Sequence, residues 1–123
     1  MGRVPRILVS AKKKRDEAIN LLRIVGPEKS FRFYRGIGQP LGVSSSSLAE
    51  FGTVVRGIDA TSVSFHVERG DFENWFRMLG DEGLADKVSA MRGKKIPPGE
   101  MRGTVSSLVS ERVARLQRAA KPK

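Results

Sequence analysis

Apolar residues recur at three- and four-residue spacing along most of this chain and alternate in one short stretch. Within AKKKRDEAINLLRIV, the apolar positions Ala18, Ile19, Leu22 and Val25 fall at helical spacing, and Gly26-Pro27 ends the run. Ser10 is placed to cap that helix, because its hydroxyl can accept an otherwise orphan backbone N–H. Ser30 to Gly36 alternates instead: Phe31 and Phe33 face one way, Arg32 and Tyr34 the other, which is a strand pattern. Gly36, Gly38, Pro40 and Gly42 then predict a turn-rich loop and a short hairpin through Leu41 and Val43. Ser47 and Glu50 form a capping box ahead of a stripe at Leu48, Phe51, Val54, Val55 and Ile58.

The centre of the chain, Thr61 to Met91, holds its only Trp, its only His and three of its six Phe. Val63, Phe65 and Val67 alternate with Ser64, His66 and Glu68, so residues 61–69 read as a strand or as a short helix; periodicity leaves both open. Asp71 is a good N-cap for a helix that aligns Phe72, Trp75, Phe76 and Leu79. Gly80 stops that helix, and Asp81 caps the next, where Leu84, Ala85 and Val88 turn inward. Pro97-Pro98 breaks the chain again, and Met101, Val105, Leu108, Val109, Val113 and Leu116 form a last stripe. Together these predict a mainly α (α+β) fold: a small helical domain of about five helices with one short N-terminal strand or hairpin near 31–46. Its organisation reads as a basic N-terminal arm or helix at 1–29, a globular domain at 30–118, and a basic tail at 119–123. Trp75 is the expected anchor of the core.

Composition narrows the class. Hydrophobic content of 39% suits a globular fold. The absence of Cys removes disulfides, thiolate zinc sites and thiol nucleophiles, and it points to a reducing compartment. No apolar run approaches a membrane span and the N-terminus lacks the apolar core of a signal peptide, so a cytoplasmic, membrane-free protein is expected. Asn and Gln are confined to Asn20, Asn74, Gln39 and Gln117. That scarcity fits a thermophile's avoidance of labile side chains and equally a GC-rich genome.

Charge changes the picture most. The formal net charge is +10, and it is segregated. Residues 1–35 hold ten Lys or Arg against three acids, residues 36–90 four against eight, and residues 91–123 nine against two. Basic ends attract polyanions, since each neutralised phosphate releases counterions, although lysine-rich ends also simply solubilise a chain. The candidate nucleic-acid contacts are Arg3, Arg6, Lys12, Lys13, Lys14 and Arg15 at one end. Lys94 and Lys95 in the basic loop, Arg112, Arg115 and Arg118 at helical spacing, and Lys121 and Lys123 in the tail supply the other. A cationic run at the start of a helix opposes the helix dipole, a penalty of a few tenths of a kcal/mol that a bound phosphate offsets. Arg32, Tyr34 and Arg35 on a strand suggest base stacking or an ordinary solvent face.

Enzyme chemistry finds little support. GIGQPLG lacks the spacing of a phosphate-binding loop, and the serines at 44–47 have no His or Asp tied to them. His66, Glu68 and Asp71 are the best metal-like or catalytic trio, but no second His exists to complete a ligand set. A buried, hydrogen-bonded His and a capping Asp explain them better. No cofactor or metal is expected.

SLAEF, SVSFH, RGDFENW and LGDEGLADKV resemble a small prokaryotic (archaeal and bacterial) domain family of unknown function. Its pattern is SLxEF…SxxFHxxRGDFxxWxxxLGDxxLA, with FxFYxGI before it and GExR after it. The resemblance spans roughly Phe31 to Leu116, and it implies a mostly helical fold with residues 61–69 helical. It implies no activity. The expected function is therefore non-enzymatic binding of nucleic acid through backbone and shape, with structured RNA or the ribosome ahead of DNA. The alternative is a protein–protein adaptor that docks a basic partner on the acidic central surface.

Overall fold

In a computed structural model, which describes residues 6–121 and side chains from residue 11 onward, six α-helices surround a two-stranded antiparallel hairpin. Helix α1 (Arg6–Leu21) is followed by a 3-10 turn at Pro27–Lys29 and by strands β1 (Phe31–Gly36) and β2 (Gln39–Ser45). Helices α2 (Leu48–Gly57), α3 (Ala60–Arg69), α4 (Asp71–Leu79) and α5 (Glu82–Ser89) are short, and α6 (Pro98–Ala120) is long. The fold is thus α+β and mostly helical, and residues 61–69 are helix. Tertiary burial of Val63, His66 and Val67 on one face decides what local periodicity could not.

Local signals act where they were placed. Ser47 Oγ accepts the Glu50 N–H at 3.2 Å, while the Glu50 carboxylate reaches one residue past the cap, taking the Ser46 N–H at 2.8 Å. Asp81 caps α5 by accepting the Leu84 N–H. Gly80 ends α4 at φ 104°, a left-handed geometry that disfavours any residue with a Cβ. Asp71, expected as an N-cap, is instead the first residue of α4, behind Gly70 at φ 78°. Its carboxylate is drawn away from the helix end by His66 and Arg69. The cap of α3 is Asp59, which accepts the Thr61 N–H at 2.8 Å.

Helix α1 departs most from expectation. It begins at Arg6 rather than Ala11, which puts Ser10 inside it and Lys12–Arg15 beyond its first turn. The dipole penalty assigned to those cations therefore lapses, because the field fades within that turn. The helix also stops at Leu21, short of Gly26-Pro27. Nη1 of Arg23 donates at 2.8 Å both to the Asn20 carbonyl and to the Leu79 carbonyl, closing α1 and tying it to the end of α4. The phase shifts accordingly: Ala18 and Leu21 are buried, and Ile19 is half exposed. Packing therefore crosses the boundary drawn at residue 29, since α1 contributes to the same core as the helices that follow.

That core is continuous and aromatic. Phe31 and Phe33 point inward from β1, as their alternation predicts, and meet Phe51, Phe72, Trp75 and Phe76. Ring pairs such as Phe31–Phe33 at 4.8 Å and Phe51–Phe72 at 4.9 Å adopt edge-to-face geometry, while Trp75 stacks on Phe51 at 5.4 Å. The indole N–H donates to the Lys29 carbonyl at 2.8 Å, so the anchor is also hydrogen-bonded. Helix α6 packs against α1, α2, α3 and α5, burying Met101, Val105, Val109, Val113 and Leu116. Gly52 allows the α2–α6 approach: a Cβ there would stand 3.2 Å from Val109 Cγ1.

Replacing Trp75 with Ala is expected to cost roughly 3–5 kcal/mol, through lost burial, an unfilled cavity and an orphaned Lys29 carbonyl. Urea unfolding followed by circular dichroism measures it, and an unchanged midpoint would remove Trp75 from its role as anchor.

Candidate nucleic-acid interface

The positions of the cations follow from the helices that carry them. Lys12, Lys13 and Lys14 are exposed on α1 and Arg15 is half-buried there, while Arg115 and Arg118 are exposed on α6 and Lys121 closes that helix. Helix α1 packs against α6, so the helices that carry these two groups of cations are neighbours. Lys94 and Lys95 do not join them. They are exposed in the loop before the first turn of α6, roughly 25 Å of helical rise from Arg115. Arg32 is exposed on β1, on the hairpin side. Arg3 and Lys123 lie outside the described residues, and of Arg6 only the backbone is described.

Two expected contacts are engaged within the protein. Arg35 pairs with Asp59 at 3.2 Å, and Arg112 Nε donates to Asp81 at 2.8 Å. Sequence spacing placed Arg112 on a free arginine ridge, but its partner is thirty-one residues away and was invisible locally. Asp81 is 2% exposed and spends one oxygen on the Leu84 N–H and the other on Arg112.

The same holds for every acid from Asp59 to Asp86. Glu73 lies between Arg92 and Arg77, Asp71 bonds His66 and Arg69, and Arg77 also reaches Glu82 and Asp86. Glu68 accepts the Gly93 N–H. The net-acidic centre is therefore a set of internal ion pairs, caps and amide contacts, in which Arg77 is shared by Glu73 and the exposed Glu82 and Asp86.

His66 lines a cleft of about 620 Å³ between the hairpin and the α3–α4 corner. Phe31, Tyr34, Phe65 and Trp75 form much of its apolar wall, with Arg32 and Arg69 also lining it. Both ring nitrogens of His66 are occupied. Nε2 accepts the Tyr34 N–H at 2.8 Å, which fixes the tautomer so that Nδ1–H donates to Asp71, also at 2.8 Å. Burial lowers the imidazole pKa from its usual 6.5, against the pull of the Asp71 carboxylate, and the Arg69 cation adds to the lowering. The amide aimed at Nε2 leaves no room for a second proton. This pair clamps the hairpin to the corner. Among the described residues, no group of three or more His, Cys, Asp or Glu is placed to hold a metal ion. No helix there is long and apolar enough to cross a membrane.

Lys87 and Arg69 were missed at the sequence level. Lys87 sits in a segment whose summed charge is negative, and that sum hides it; only the pairing of its acidic neighbours with Arg77 leaves it standing out. No protein-family model, curated protein or solved structure matches the chain.

Two measurements test this geometry. The folded pKa of His66 lies below its unfolded value, so stability is fully present above about pH 6.5 and falls as the pH drops from there through the folded pKa, by at most about 1.4 kcal/mol per pH unit. Urea midpoints measured between neutral and mildly acid pH should show that slope, and His66→Gln should flatten it. Separately, Arg112→Ala should cost about 3 kcal/mol, the low end for a buried pair because the arginine reaches solvent. A loss below about 1 kcal/mol in urea titrations would mark the pair as an ordinary surface contact.

Proposed function

We propose that this protein is a non-enzymatic, cytoplasmic nucleic-acid-binding protein that recognises phosphate backbone and overall shape. One observation carries the reading: α1, which carries Lys12–Arg15, packs against α6, which carries Arg115, Arg118 and Lys121, while each central acid already has a partner inside the protein. Excess charge then has no protein partner and a strong polyanion affinity. Nothing in the arrangement presents a base-reading helix with its own recognition code, so backbone contacts dominate. Structured RNA, including the ribosome, is preferred to DNA, since basic helix ends beside a small rigid body suit the grooves between RNA helices. The chain's RGDFENW and LGDEGLA motifs group it with the prokaryotic domain family they resemble. The adaptor alternative is less well supported, because most of the carboxylates it would use already hold neighbouring arginines and Glu68 holds the Gly93 N–H.

Truncation at residue 29 would strip Ala18 and Leu21 from the core, so charge substitution is the cleaner test. Binding of a labelled RNA hairpin, followed by anisotropy over a salt series, should show log K falling linearly with log[salt]. Changing Lys12, Lys13, Lys14 and Arg15 together to Ala should reduce that slope by about three, near 0.7–0.9 per lost phosphate contact. A wild-type affinity no greater than that of a charge-matched lysine peptide would overturn the proposal.

A further inference from the structure

Among the cations that line the α5–α6 seam, Arg112 is the one whose orientation is dictated from beneath. Its Nε is held at 2.8 Å by Asp81, a carboxylate that is itself 2% exposed and locked to the first turn of α5. The two terminal nitrogens of Arg112 have no hydrogen-bond partner among the described residues, and the side chain is 29% exposed. Directly beside it, Arg112, Arg115, Lys87, Gly83 and Leu84 line one depression of about 120 Å³. That is several times the roughly 10–15 Å³ that a single water needs, room enough for one tetrahedral oxyanion. Gly83 keeps the floor open: a Cβ there would meet only Asp81 Oδ1, at 3.9 Å.

The surrounding charges favour an anion. Lys87 and Arg115 are exposed and have no carboxylate within ion-pair distance among the described residues. Glu82 and Asp86, on the same helix as Lys87, are both held by Arg77. Glu111, one turn before Arg115, is exposed; Glu17 of α1 and Glu82 line the neighbouring depression with Arg112, and Glu100, the other acid of α6, stands in its first turn, about 18 Å of helical rise away. Asp81 cancels one charge of the trio, which leaves two cations and a pre-oriented guanidinium edge. A fixed guanidinium presents paired N–H donors that match two oxygens of a phosphate, and it loses little side-chain entropy on binding.

We propose that Arg112, Arg115 and Lys87 form a seat for a single phosphate group, which resting on the reading above is a phosphodiester of the bound nucleic acid. Asp81 acts as the positioning residue. The exposed lysines of α1 then supply diffuse attraction, and this seat supplies register.

Inorganic phosphate titrated into the full chain, followed by amide and arginine Hε chemical shifts, reads the seat without any nucleic acid. Saturable shifts at Gly83, Lys87, Arg115 and the Arg112 side chain are expected. Their absence, or shifts confined to Lys12–Arg15, would overturn the seat. A Lys87→Ala/Arg115→Ala variant removes two surface cations and leaves the Asp81–Arg112 pair intact. Its phosphate affinity should fall roughly tenfold to a hundredfold, and its salt slope on the RNA hairpin should drop by one to two contacts' worth. Lost phosphate binding with an unchanged RNA slope would reassign the seat to free phosphate and overturn the phosphodiester assignment. Saturable phosphate shifts in a protein that ignores RNA would sink the nucleic-acid reading and leave the seat standing.

Discussion

Asp81 is the group on which most of the architecture converges. A carboxylate that is almost wholly withdrawn from water is tolerable only if its oxygens are satisfied, and here each has one assigned partner. One partner comes from the helix that Asp81 begins, and the other from a helix near the end of the chain. The turn at Gly80 and the seating of α6 are thereby made conditional on each other. Removing Asp81 from water before α6 arrives would leave a desolvated carboxylate, so the α4–α5 corner and α6 are stable together or not at all. His66 plays a related part on the opposite side, joining a strand amide to a helix carboxylate through one neutral ring.

These two clamps also explain how a chain with many acids at its centre comes to behave as a cation. Each acid from Asp59 to Asp86 serves a cap, a neighbouring arginine, a buried ring or, for Glu68, a turn amide. Most such surface pairs contribute little stability singly. Their effect on the outside is larger, because they subtract negative field from the surface and leave the α1–α6 side to set the protein's long-range potential. Charge segregation in the sequence thus becomes a difference between satisfied and unsatisfied charge in space.

Most of the fold was legible because its signals are local. Ser47 with Glu50, the alternation of Phe31 and Phe33, and the Gly80-Asp81 stop and start each depend on neighbours within four residues. The failures have one physical origin: a distant partner outbid a local preference. Arg23 closed α1 early because the Leu79 carbonyl was within reach, and Asp71 left its capping role for His66 and Arg69. The candidate site was less legible for the same reason. Lysines on α1 were found by composition alone, but whether an arginine is free depends on carboxylates thirty residues away, as Arg112 and Arg35 show.

The position of α6 has a consequence for how the molecule folds. The helix against which α1, α2, α3 and α5 all rest comes after them in chain order. Until Met101, Val105, Val109, Val113 and Leu116 dock, the earlier helices lack the apolar ridge they cover, and Phe51 and Trp75 sit in a half-built core. The long sequence separation between α1 and α6 adds a loop-closure cost that is met only at the end. The core is therefore expected to close as one cooperative unit, with the aromatic cluster around Phe51 and Trp75 uncovered in any intermediate that α6 has not yet joined.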